Sequence, residues 1–295
     1  MTPPASERAT LRVDDLRAAD GQLVRLLGDD PARPTILFLS GPGFVVSPLA
    51  GLFAPWTERF NVALWDQPAG SGLSFERLTA DGLAAAEAVR VRLPDAPLAL
   101  FATSGGTIPG LMMAKARPDL FAAYVGHGQV TSWARQARAS YAMILGQARA
   151  AGDAAAVAEL EGIGPPPWSD VGADAVRGKY ANVPTAAERK AFEDPAVQAA
   201  FARLPADLRD RTTAAFGVLK PAIDAFDAES LGLDYGLPMT FLMGEHEAHL
   251  PNLEVEAFAA RLHAPKVDLV VMPGLGHMAG LLPSLTGPWL GQVLG

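Results

Sequence analysis

The stretch PLALFATSGGTIPGLMMA, from Pro97 to Ala114, constrains the fold more than any other part of the chain. An apolar run breaks at five small residues, Ala102 to Gly106, and resumes with helix-like character. That pattern is a strand, a tight turn and a helix, with Ser104 at the turn. Small neighbours let a backbone turn that sharply without clashes. The strand-then-loop design recurs in PTILFLSGPGF and FNVALWDQPAGSGLSF, and FAAYVGHGQV is a further apolar run. LTADGLAAAEAVRVRL between them is Ala-rich with helical spacing. Strands alternating with helices predict an α/β fold, a mostly parallel sheet with helices on both faces. Upstream, LRVDDLRAADGQLVRLLG predicts two strands around Asp20-Gly21, a hairpin signal.

The rhythm changes after Val130. Residues 131–232 hold Ala-rich helical segments broken by Pro and Gly, such as WARQARASYAMILGQARA and AFARLPADLRDRTTAAFGVL, with no convincing strand. It then resumes: PMTFLMGE as a strand, NLEVEAFAARLHA as a helix, VDLVVMPG as a strand, and a last short helix. The expectation is a core domain of residues 1–130 and 233–295, with 131–232 a helical cap inserted between strands 6 and 7. A chain of 295 residues is long enough for one large core carrying an insertion.

Composition narrows the function. Against 24 Lys and Arg stand 32 Asp and Glu, a formal charge of −8. With no Lys/Arg run, nucleic acid and anionic membranes are poor partners for this chain. The absence of cysteine removes disulfides, thiolate catalysis and Cys-ligated zinc together. The opening MTPPASERATLRVDDL has no basic segment followed by an apolar one, so no secretory leader is expected. No apolar stretch approaches the ~20 residues of a membrane span. The expected location is the cytoplasm.

Serine needs a base to act as a nucleophile. Of the five histidines, His277 in VVMPGLGHMAG follows the last predicted strand on a Gly-rich loop that would reach the carboxyl edge of the sheet. The orienting acid belongs between serine and histidine in chain order. FLMGEHEAHLP offers Glu245 and Glu247 there. Glu247 is favoured because it lies further past the strand, with Glu245 in reserve. The acid would hold the imidazole tautomer and stabilise the imidazolium. An oxyanion needs N–H donors. Gly105, directly after the nucleophile, supplies one. Gly41 in LSGPGF supplies the other, since Pro42 has no N–H. At the elbow Ala102 stands where the usual G-x-S-x-G pattern has its first Gly.

Together these residues resemble the α/β-hydrolase fold, and within it the proline iminopeptidase-like serine hydrolases. SGPG, Ser40 to Gly43, is similar to the end of that family's HGGPG oxyanion loop. WDQPAGSGLS, Trp65 to Ser74, looks like its DQRGxGxS segment, and ATSGG occupies its nucleophile elbow. Gly244, Glu247 and Pro251 match its GxxDxxxP acid loop with Glu for Asp, and PGLGHM, Pro273 to Met278, is close to its PGxGHM loop. The departures concern substrate. Leu39 and Ser40 replace the family's His and first Gly, and Pro68 replaces the Arg of DQRG. The resemblance implies cap carboxylates that bind a substrate amine. Glu159, Glu161 and Glu188 lie in the expected cap, where solvated helix faces are the simpler expectation for each.

The leading expectation is a cofactor-independent serine hydrolase. Ser104 attacks a carbonyl, His277 shuttles the proton, Glu247 orients His277, and Gly41 and Gly105 hold the oxyanion. Its substrate would be a small ester or a short peptide, which leaves esterase and aminopeptidase level. Other readings are a ligand-binding protein on the same scaffold, or lyase or perhydrolase chemistry with the same three residues. Ser104 stands where a dehalogenase would need Asp. HEAH, His246 to His249, has spacing that occurs in metal sites, but a second ligand pair is missing, so no metal is expected. The oligomeric state is not legible.

Overall fold

The structure is a computed structural model that describes residues 12–18, 21–169 and 171–294. Its centre is an eight-stranded sheet: β1 (Val13–Arg17), β2 (Leu23–Leu27), β3 (Thr35–Leu39), β4 (Asn61–Trp65), β5 (Leu98–Thr103), β6 (Ala123–His127), β7 (Met239–Gly244) and β8 (Val267–Met272). Their spatial order is β1-β2-β4-β3-β5-β6-β7-β8. β1 pairs antiparallel with β2, and β2 with β4; every other pairing is parallel. Asp20 of the expected hairpin turn lies outside the described residues, as do residues 1–11.

The central strands are buried along their whole length: TILFL in β3, NVALW in β4, LALFAT in β5 and MTFLMG in β7. Strands covered on both faces need no polar alternation, which is why they read as continuous apolar runs. Successive side chains still point to opposite faces. Leu37, Leu39, Ala63, Trp65, Leu100 and Ala102 join one core cluster. Ile36, Phe38, Val62, Leu64 and Phe101 join the other, where Phe38 stacks on Phe101 at 5.4 Å.

Helices α1 (Phe75–Arg92) and α2 (Thr107–Ala116) follow β4 and β5. Ser74 starts α1 by accepting from the Arg77 N–H at 3.1 Å, an N-cap of the usual kind. Between β6 and β7 the chain forms α3 (Trp133–Ala151), α4 (Ala154–Ile163), α5 (Val171–Ala181), α6 (Ala186–Phe192), α7 (Pro195–Phe201) and α8 (Leu208–Ala225). Trp133, Tyr141 and Ile144 of α3 pack into the same cluster as the sheet. Helices α9 (Asn252–Ala259) and α10 (Pro283–Val293) complete the chain. β4 and β5 lie on opposite sides of β3, so the connections diverge there. Open α/β sheets hold their ligands beyond the carboxyl ends of the strands at such a switch point. Ser104 directly follows β5.

Candidate active site

Ser104 has φ +54°, the only positive φ outside glycine among the described residues. A left-handed serine costs roughly 1–3 kcal/mol and persists only where its surroundings fix it. Here they do. The Thr107 hydroxyl donates to the Ser104 carbonyl at 2.6 Å and accepts from the Val130 N–H at 3.0 Å. A Cβ on Gly106 would lie 2.2 Å from the Ser40 carbonyl oxygen, so the loop after β3 presses directly on the elbow. Ala102 fits the elbow's first position because the residue facing it on α2 is Gly110, where a Cβ would come within 2.8 Å of the Ala102 methyl.

His277 opens a 3-10 turn, His277–Leu281, beyond β8. Its Nε2 lies 3.0 Å from Ser104 Oγ and its Nδ1 2.8 Å from Glu247 Oε2. An ionised carboxylate only accepts, so Nδ1 carries the proton and Nε2 is left to accept from the serine hydroxyl. Glu247 is 4% exposed. Its other oxygen accepts from the His249 and Leu250 N–H groups at 2.8 and 3.0 Å. Burial disfavours its charge, but the His277 charge and hydrogen bond and the Leu250 N–H outweigh this and hold its pKa below the ordinary carboxylate value. Glu245, the reserve acid, is exposed and accepts from the Gly274 N–H at 2.7 Å. It braces a loop and does not meet His277.

Two more imidazoles adjoin His277. His127, at the end of β6, is fully buried with Nδ1 3.2 Å from Thr103 Oγ1. Burial, reinforced by His277, lowers its pKa from 6.5 to about 4. The His249 ring centroid lies 4.6 Å from that of His277. Desolvation, Arg177 and His277 push its pKa well below 6.5, so both neighbours are neutral. The HEAH histidines diverge: His246 is exposed, whereas His249 is half-buried at the cavity wall. Among the described residues no cluster of three ligating side chains suits a metal.

The loop carrying Gly41 is held by the two residues that follow β4. Asp66 accepts from the Val46 and Ser47 N–H groups at 2.7 and 2.8 Å and from the Ser47 hydroxyl at 2.6 Å. The Gln67 amide donates to the Ser40 carbonyl. Gly41 thereby adjoins Gly105, whose added Cβ would lie 3.7 Å from Gly41 Cα. Gly41, Ser104 and Gly105 share the wall of a cavity of about 670 Å³ with Trp133, Phe216 and Asp174 from the helical segment.

The three acids singled out between β6 and β7 do not line this cavity. Glu159 pairs with Lys179 at 2.7 Å and Glu161 with Arg149 at 2.7 Å, both on exposed faces. Glu188 departs from the solvated face expected for it: it is 0% exposed and bonded to backbone N–H groups. The acid that does line the cavity is Asp174, which sequence reasoning passed over. It is paired with the buried guanidinium of Arg177 at 2.8 Å. Its only sequence signal is a D-x-x-R spacing, which marks any helix surface.

The site and sheet together have the α/β-hydrolase fold. Neither a family model nor a curated protein sequence matches the chain. Solved structures do. A proline iminopeptidase-related protein of Thermus thermophilus is 17% identical, covers 97% of this chain and 98% of its own, and superposes with a TM-score of 0.66. The 2-hydroxy-6-oxo-6-phenylhexa-2,4-dienoate hydrolase of a Rhodococcus strain is 15% identical over 97% and 99%, with a TM-score of 0.64. The proline iminopeptidase of Mycobacterium smegmatis is 15% identical over 95% and 98%, with a TM-score of 0.62. Such likeness carries the fold, and the chemistry has to come from the site. No helix among the described residues is long and apolar enough to cross a membrane.

Proposed function

We propose that the protein is a serine hydrolase that cleaves a small ester through an acyl-enzyme on Ser104. One observation carries the reading: a serine at φ +54° hydrogen-bonded through His277 to a buried Glu247. Ser104 Oγ adds to the substrate carbonyl as its proton passes to His277 Nε2. The imidazolium is stabilised by Glu247, and the Gly41 and Gly105 N–H groups receive the oxyanion. His277 then protonates the departing alcohol. Water, deprotonated by the same imidazole, releases the acid and restores the serine. No step requires a cofactor, and residues 131–232 act as the cap over the cleft. The location proposed is the cytoplasm.

Cavity chemistry favours an ester over an aminopeptidase substrate. An aminopeptidase must hold a free ammonium group, and a buried cation needs an anionic partner. Asp174 is the only acid among the described cavity-lining residues, and Arg177 already holds it.

The test is fluorophosphonate labelling with the adduct located by mass spectrometry, beside p-nitrophenyl esters and prolyl and alanyl arylamides. The adduct is expected on Ser104, with Ser104→Ala lowering ester kcat by about 10⁴-fold or more. Well-folded protein without an adduct would sink the serine hydrolase. Arylamide turnover exceeding ester turnover would overturn the ester assignment.

A further inference from the structure

Glu188 is a buried carboxylate whose placement exceeds what its own helix needs. It is the third residue of α6 and completes a capping box with Thr185, its Oε2 accepting from the Thr185 N–H at 2.8 Å. A capping box needs no more than that. Yet Oε1 reaches residues 88 and 91 places further along the chain, accepting from the Gly276 N–H at 2.9 Å and the Ala279 N–H at 2.8 Å. Those two amides flank His277. They also stand at the start of the 3-10 turn His277–Leu281, Gly276 as its N-cap and Ala279 as its third residue. One carboxylate therefore caps two helical starts, one in the inserted segment and one carrying the histidine.

The fit is close. A Cβ on Gly276 would lie 3.4 Å from Glu188 Oε2 and 3.3 Å from Thr185 Cγ2, so α6 packs against the backbone just before His277. The same inserted segment also holds the acid loop. Ser140 on α3 donates to the Ala248 carbonyl at 2.6 Å, and Arg177 on α5 to the His249 carbonyl at 2.9 Å. Both loops that must converge on Ser104 are thus tied to helices between β6 and β7.

We infer that Glu188 is a positioning residue: its carboxylate, reaching from α6 to the amides on either side of His277, aligns the imidazole on Ser104 and makes that alignment depend on the docking of α6. The reach of the side chain matters here rather than its charge. A misplacement of about 1 Å at reacting groups can cost ~10²-fold in rate, so a slack histidine loop would show in kcat first. For its kinetic consequence the inference rests on the hydrolase reading above; for its structural content it does not.

Three variants separate reach from charge and from general stability. Glu188→Asp keeps a carboxylate at the start of α6 but withdraws it from Gly276 and Ala279. Glu188→Gln loses half of the capping box but keeps an oxygen at full reach. Thr185→Ala weakens the same helix by ~1 kcal/mol and leaves the reach intact. The first readout needs no substrate: the NMR signal of the His277 Nδ1 proton, shifted far downfield by its bond to Glu247. It is expected to persist in Glu188→Gln and Thr185→Ala and to weaken or move upfield in Glu188→Asp. The second readout is ester turnover, where Glu188→Asp should lose roughly 10-fold or more in kcat with KM nearly unchanged. Glu188→Gln should recover most of that loss. An unchanged proton signal and kcat in Glu188→Asp would overturn the inference. So would equal losses in Glu188→Asp and Thr185→Ala, which would mean only a loosened helix. If the wild type forms no fluorophosphonate adduct and turns over neither ester nor arylamide, the hydrolase reading falls, and the proton signal alone decides the role of Glu188.

Discussion

A Cβ on Gly128 would stand 2.8 Å from His277 Cε1, 2.9 Å from His277 Nδ1 and 3.4 Å from Glu247 Oε2. The residue also has φ +53°, which side chains rarely adopt. The His277–Glu247 bond therefore lies across a glycine that cannot be replaced without moving the ring. Gly128→Ala is expected to leave a folded protein, destabilised by roughly 1–3 kcal/mol through strain and overpacking. Its kcat should fall by about 10²-fold, because the imidazole is what yields. Melting temperature and ester kcat measured together check this; a variant with wild-type kcat would show that the ring has room. That Ser104, His277 and Glu247 would meet was legible in the sequence, since each follows a recognisable strand and the order serine, acid, histidine is the one this fold uses. Gly128 and Glu188 were not. GHGQ is an ordinary loop until the His277–Glu247 pair, far away in sequence, is laid over it. TAAERK is an ordinary helix start until the histidine loop arrives.

At the scale of elements, the loops after β3 and β4 form one unit. The DQ of WDQPAGSG does not face the cavity; it holds the SGPGF loop through the bonds of Asp66 to Val46 and Ser47 and of Gln67 to Ser40. Asp66→Ala leaves two backbone N–H groups without their acceptor, a loss of about 1–3 kcal/mol. It should also lower kcat roughly 10-fold by letting the Gly41 amide drift from the oxyanion position. Asp66→Asn keeps an oxygen for both amides and turns its NH₂ toward the Ser47 hydroxyl, which can accept. It should stay within about 3-fold of wild type. Ester kcat and melting temperature of the pair test this, and equal activity in both variants would sever the loop's support from the chemistry. The central strands were legible because full burial turns them into apolar runs. In the stretch between β6 and β7 the helical character was legible from Ala-rich segments punctuated by Pro and Gly. Which helix faces the cleft was not. That depends on tertiary partners such as Arg177 with Ser140 and the His249 carbonyl, and local spacing does not encode them.

For the whole molecule, the buried imidazoles set how stability follows pH. His127 is neutral in the fold, its pKa lowered from 6.5 to about 4. The unfolded chain takes up a proton near the usual value, so between 6.5 and 4 it binds more protons than the folded protein at this site. Its contribution to stability is fully present above about pH 6.5 and is lost as pH falls toward 4, a total of about 3 kcal/mol. His249 is shifted in the same direction and steepens the same limb. Glu247 acts lower down: its folded pKa is depressed, so its contribution is present above the ordinary carboxylate range and disappears as pH drops through its folded value. Acid should therefore weaken the fold well before carboxylates protonate, with a slope of up to ~1.4 kcal/mol per pH unit for each buried histidine. Urea midpoints measured from about pH 8 to about pH 4 should fall continuously below about 6.5 and level off above it. His127→Gln, which offers an amide near Thr103 and no titrating group, should flatten the limb by about one proton's worth of slope while leaving the limb due to Glu247 in place. A slope unaltered by that substitution would mean that His127 takes up its proton at the same pH in the folded protein as in the unfolded chain, against the lowering that its burial implies.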